Sequence, residues 1–224
     1  METLDGGIGR AYGHFKGLIV TQNHKKADLS LRFRSLHYPP AKLRAVRRWI
    51  DEHCDAEGFV QKIDLIIDWR SRVERMSGED LFLLSREYEQ GGKREQDRYI
   101  VGMFRLIASA MKERAADRGH VDAVYELAEI ELASDVWWRR DNGADRLKKL
   151  ALAGEAKAAL DLARRYQDGR GVAKDDTRAL YWFIRARGNG AVALDQDIRL
   201  LRQRLTPEQA LRLRTWAESN RPPR

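Results

Sequence analysis

Apolar residues recur along this chain at intervals of three and four, and the pattern is sharpest between residues 154 and 190. Ala158, Leu162, Ala163 and Tyr166 fall on one face of a first helix, and Ala179, Trp182, Phe183 and Ala186 on one face of a second. Two such helices can close on each other through small residues and a few large ones. Between them, Gly169 and Gly171 suit the positive φ that ends a helix, Val172 offers the turn an apolar contact, and Asp175 is placed to cap the second helix, which Gly190 ends. The same periodicity predicts helices at about 41–55, 60–76, 79–90, 97–117, 120–133, 143–153, 155–168, 176–188 and 192–204. Ser77-x-x-Asp80 reads as a capping box, and so does Thr206-Pro207-Glu208-Gln209, which opens a last helix carrying Leu211, Leu213 and Trp216. The one departure from helical spacing is Leu29–Leu36, where Leu29, Leu31 and Phe33 alternate and predict a short strand or extended segment.

The helix pair is repeated. A shift of 35 residues lays Val121 on Ala156, Ala123 on Ala158, Leu127 on Leu162, Ala128 on Ala163, Ala144 on Ala179 and Ala151 on Ala186. A shift of 78 lays the run Leu84–Gly91 on Leu162–Gly169, and the second helix of that copy ends Ala115-x-x-x-Gly119 as the intact one ends Ala186-x-x-x-Gly190. The middle copy has lost its turn glycines and the valine after them; Ser134, Val136 and Trp137 stand there instead.

With Ala-x-Ala, Leu-Ala, Tyr-x-x-Gly-x-Gly-Val, Lys-Asp, Ala-x-x-Trp-Phe and Ala-x-x-x-Gly in order over 154–190, the chain resembles the Sel-one-like repeat family, relatives of the tetratricopeptide repeats. The match is degenerate at 119–153 and partial at 78–118, and residues 1–77 show none. The resemblance implies an all-α, right-handed α/α solenoid that binds proteins and does no catalysis. The expected organisation is a basic, glycine-spaced arm at 1–38, a helical pair at 39–77, and three repeats over 78–190, divided as 78–118, 119–153 and 154–190. Capping helices at 191–219 and a tail at 220–224 follow. The positions that define the intact repeat are Ala158, Leu162, Tyr166, Gly169, Gly171, Asp175, Ala179, Trp182, Ala186 and Gly190.

Charge narrows the function without naming it. The 224 residues carry a formal net charge of +8, with 42 basic side chains against 34 acidic ones interleaved along most helices. That is the pattern of solvated helix faces more than of a stripe tracking phosphates, so nucleic acid is a disfavoured partner despite basic clusters at Lys42–Arg48 and Arg199–Arg224. No run is long enough to span a membrane, Leu18-Ile19-Val20 is too short for a signal-peptide core, and Cys54 is alone. The expectation is a cytoplasmic, bacterial protein without a membrane partner.

No catalytic constellation emerges. Asp145, Glu155 and Lys157 have the spacing of a nuclease motif but lie on repeat helices, where no sheet converges them. His53-Cys54 among Asp51, Glu52, Asp55 and Glu57 lacks ligand spacing, and Gly7-x-Gly9-x-x-x-Gly13 misses the dinucleotide fingerprint. No cofactor and no metal are expected. What stands out is Trp137-Trp138-Arg139-Arg140, where two adjacent tryptophans cannot both enter one core; either one packs beneath the turn, or the run is an aromatic and arginine contact patch.

In the family the first helices of successive repeats line one face. Carried over, its polar side holds Glu87 and Glu89, then Asp122, Glu126 and Glu129, then Lys157, Asp161, Arg164 and Arg165, with both arginines pointing away from the helix-pair core. The expected partner site is therefore Glu126, Glu129, Lys157, Asp161, Arg164 and Arg165 with Trp137 or Trp138 as an anchor; the competing reading is ion pairing between repeats. The expected function is a non-enzymatic interaction module, an adaptor or scaffold. The alternatives are an inhibitor or immunity protein for one enzyme and a nucleic-acid binder.

Overall fold

A computed structural model of the chain describes residues 24–53 and 57–219. The glycines at 7, 9 and 13, Cys54 and the tail at 220–224 lie outside the described residues. Among the described residues every regular element is a helix. In chain order these are α1 (His24–Ser35), α2 (Pro40–His53), α3 (Glu57–Arg75), α4 (Gly78–Lys93), α5 (Arg98–Asp117), α6 (Val121–Leu132), α7 (Trp137–Leu152), α8 (Ala156–Asp168), α9 (Asp176–Gly188), α10 (Asp195–Arg204) and α11 (Pro207–Ser219). They divide into two compact units, residues 1–120 and 121–224.

Local chemistry sets the helix starts. The Ser77 hydroxyl accepts from the Asp80 amide at 3.1 Å while the Asp80 carboxylate accepts from the Ser77 amide at 3.2 Å, closing the capping box of α4. Asp97 caps α5 and Asp175 caps α9, each carboxylate taking two amides of the first turn. Thr206 and Gln209 exchange the same reciprocal bonds at α11.

In the first unit, α4 pairs with α5 through Leu81, Phe82, Ser85 and Tyr88 against Ile100, Ile107, Ala108 and Met111. Gly91 permits the approach, since a Cβ there would fall 2.6 Å from the Phe104 ring. Leu31, Leu43, Val46, Ile50, Ile63 and Ile66 form a second cluster joining α1, α2 and α3. The segment expected to be extended, Leu29–Leu36, is α1 and the start of the turn after it. The alternation misleads because α1 packs against both α3 and α5. A helix held from two sides buries a wide band, here Ala27, Leu29, Ser30, Leu31 and Ser35, and blurs its own period. Ser30 and Tyr99 share a hydroxyl hydrogen bond at 3.0 Å, and Lys25 reaches Glu95 at 2.6 Å, so the part of the 1–38 segment that forms α1 is packed.

In the second unit one core runs from Tyr125 to Leu201. Ala158, Leu162, Ala179, Trp182 and Ala186 are fully buried between α8 and α9, and Tyr166 packs at their edge. Gly169, Gly171 and Gly190 take left-handed φ of 76°, 74° and 102°. α7 begins at Trp137, six residues before the expected start at 143, and Gly143 sits inside it. A Cβ on Gly143 would come within 2.8 Å of the Ala128 carbonyl oxygen, so this glycine is a close contact between helices rather than a turn. α10 starts later than expected because Ala193 has a left-handed φ of 61°, which a helix cannot contain. On α11, Leu213 and Trp216 pack on the core as expected, whereas Leu211 is 65% exposed. Positions 213, 216 and 217 share one helical face, and 211 lies off it.

Candidate partner-binding surface

α6 and α8 are the first helices of successive pairs, and charged side chains join them. Arg165 on α8 forms ion pairs with Glu129 on α6 and, at 2.9 Å, with Asp161 one turn earlier on its own helix. Burial opposes the Arg165 charge, but the bonds to Asp161 and Glu129 outweigh it and raise its pKa. Both arginines lie off the core between α8 and α9, but they differ in exposure: the Arg165 side chain is turned to α6 and only 13% exposed, whereas Arg164 is exposed. The reason is the register: Arg165 lies one helical turn after Asp161 and faces α6, while Arg164, one residue earlier, faces solvent.

Lys157 places its ammonium 4.7 Å from the centre of the Tyr125 ring. Tyr125 is a residue that sequence reasoning missed. It stands on α6 at the position of Leu160 in the intact repeat, and that exchange of leucine for an aromatic with a hydroxyl is the signal that could have marked it. Its ring is buried and its hydroxyl has no hydrogen-bond partner among the described residues. Burial, followed by the fields of Asp161, Glu155 and Glu129, pushes its pKa far above the ordinary value of 10.

Both tryptophans are exposed, Trp137 by 68% and Trp138 by 51%, so neither packs beneath the turn. They occupy the first turn of α7. Arg140 donates to the carbonyls of Ser134 and Asp135 at 3.1 and 2.9 Å and so braces the preceding loop, and Arg139 stacks 5.6 Å from the Trp138 ring. The α7 N-cap position holds Val136, whose side chain has no oxygen with which to cap. The structure thus joins Glu129, Lys157, Asp161 and Arg165 with Tyr125, and sets Trp137 and Trp138 on a different element. Glu126 lies on α6 one turn before Glu129 and is partly buried. In the first unit, Glu89 is taken by Lys112 at 2.6 Å and Arg86 at 3.0 Å; burial raises its pKa, and these two cations lower it by more.

The nuclease-like spacing resolves in the same way. Asp145 lies within α7, Glu155 is the N-cap residue of α8, and Lys157 covers Tyr125.

The Sel1 repeat family model matches residues 156–190, and it also matches 7–27, where the sequence reading found no resemblance. The missed signal is a shift of 152 residues that lays Val20 on Val172, Asn23 on Asp175 and Ala27 on Ala179. α1 starts at His24 as α9 starts at Asp176, in the same register, and Ala27 and Ala179 are both buried. Among solved structures, a Sel1 repeat protein from Oxalobacter formigenes is similar with a TM-score of 0.41 and 21% identity, over 83% of this chain and 53% of that one. A protective antigen present in uropathogenic Escherichia coli strains, displaying an SLR fold, is similar with a TM-score of 0.38 and 15% identity, over 96% and 52%. The chain spans about half the length of these two structures. No curated protein matches it. No helix among the described residues is long and apolar enough to cross a membrane. The family's pattern over 156–190 coincides with the buried helix pair α8 and α9, so this segment of the chain matches one Sel1 repeat.

Proposed function

We propose that this protein is a non-catalytic adaptor or scaffold that docks a protein partner on the α6 and α8 surface, with Trp137 and Trp138 as apolar anchors. The observation that carries the reading is the exposure of two adjacent tryptophans at the start of α7. Large aromatics are strongly favoured in cores, and a folded monomer gains nothing from leaving two of them in water; at protein interfaces they are the residues that dominate affinity. Charges of both signs on α6 and α8 would set the register of the partner. Arg165 already serves the fold through Glu129 and Asp161, so of the two arginines the exposed Arg164 is the contact candidate beside the tryptophans.

The test is capture from native lysate with the tagged protein, comparing wild type with Trp138→Ala and Arg164→Glu. A protein retained by wild type and lost by both variants, with unchanged melting curves, supports docking at this surface. Retention of the same protein by both variants places the contact elsewhere. A single enzyme recovered at equal stoichiometry would favour an inhibitor instead, and recovery abolished by nuclease would favour nucleic acid.

A further inference from the structure

The Tyr125 hydroxyl is a buried polar atom without a hydrogen-bond partner among the described residues. Most buried hydroxyls are hydrogen-bonded, because leaving one unpaired forfeits its hydration with nothing in return. Phenylalanine would fill the same space without that loss. Around the ring stand Lys157 over its face, the Arg165 ion pairs with Glu129 and Asp161, and Glu155 at the start of α8, three carboxylates and two cations in all. One negative charge is in excess.

We infer that the surface between α6 and α8 is a receptor for a cationic side chain, lysine or arginine, of a partner peptide, with the Tyr125 ring as its wall, the Tyr125 hydroxyl as a hydrogen-bond acceptor and Asp161 and Glu129 as its counter-charges. This rests on the docking surface proposed above and adds the chemistry of its occupant. Lys157 marks the geometry: its ammonium lies 4.7 Å from the ring centre, where an incoming cation would bind, and its exposed side chain can swing away. Lys157 is then an internal stand-in that the partner's cation displaces. Arg165 does not exhaust the carboxylates, since each can accept several hydrogen bonds and the Glu129 side chain remains 54% exposed. A carboxylate ligand would meet three like charges here. The net charge of +8 does not oppose a cation at this point, because in physiological salt exposed charges more than about 8 Å away are largely screened.

The experiment uses the full chain and two fluorescein-labelled probes, an alanine–lysine peptide and its alanine–glutamate counterpart, followed by anisotropy at about 150 mM salt. The lysine peptide should bind saturably and the glutamate peptide should not. Tyr125→Phe, which deletes one unpaired oxygen and leaves the packing intact, should weaken the lysine peptide about tenfold, the usual worth of a hydrogen bond to a charged group. Asp161→Asn should weaken it at least as much. Lys157→Ala should strengthen it about threefold, beyond any gain from Lys149→Ala on α7, which makes the same charge change outside the receptor. Equal binding of the two probes, no binding of the lysine peptide, or wild-type binding by Tyr125→Phe would overturn the inference. If Trp138→Ala abolishes lysate capture while the lysine peptide fails to bind, the docking surface stands and the cationic occupant falls. If the peptide binds through Tyr125 and no protein is captured, the receptor stands and the adaptor reading falls.

Discussion

Gly171 sits so close to Leu132 that a Cβ on it would lie 2.9 Å from the Leu132 carbonyl oxygen. The turn of one helix pair thus rests on the end of α6, the first helix of the pair before it. The glycine is required twice, once by its φ of 74° and once by this approach to backbone that cannot swing aside.

Gly171→Ala should therefore cost more than the strain of a left-handed alanine alone, which is about 1–2 kcal/mol. Gly119 has a similar φ of 82° but open space around its missing Cβ, so Gly119→Ala should show the strain without the clash. Urea denaturation of the two variants checks the difference, and equal losses would mean that the contact with Leu132 carries no weight.

Trp182 is buried against Tyr181 and Trp216, with ring centres 4.9 and 5.9 Å away. Trp182→Ala should destabilise by about 3–5 kcal/mol, as large aromatic deletions in cores do. Its indole nitrogen has no hydrogen-bond partner among the described residues, so Trp182→Phe should cost clearly less: it keeps part of the ring contact and removes an unpaired donor. An unchanged melting temperature in Trp182→Ala would contradict the buried helix pair.

Glu95 accepts from Lys25 and from the amides of Asp97 and Gln96, which together lower its pKa from 4.5 to about 2. A carboxylate lowered on folding stabilises the protein above its unfolded value and loses that contribution as the pH falls through the folded value. The stability difference between wild type and Glu95→Gln should thus be constant above pH 4.5 and shrink to nothing by about pH 2. A difference that persists unchanged at pH 2 would show that Glu95 acts through packing and not through charge.

Trp137→Ala and Trp138→Ala should leave stability within about 0.5 kcal/mol of wild type, the range of surface substitutions. Both rings lie outside the core, and Arg140 braces the loop before them through backbone carbonyls. A melting temperature lowered by several degrees would mean that these rings support the fold, and would remove the case for an interaction patch.

The repeat, its turns and its caps were legible in the order of residues because their causes are local. Helical spacing of small apolar residues, glycine where φ turns positive, and Asp175 or Ser77 with an oxygen in reach of first-turn amides each act within a few residues of chain. They hold whatever lies nearby. Only tertiary structure decided which residues of the surface are committed. Arg164 and Arg165 are chemically identical neighbours, yet the second is claimed by a glutamate 36 residues away and the first is not. The burial of the Tyr125 hydroxyl without a partner, the exposure of both tryptophans and the helical form of α1 have the same origin. Each depends on what packs opposite, and burial is a property of the neighbour as much as of the residue itself.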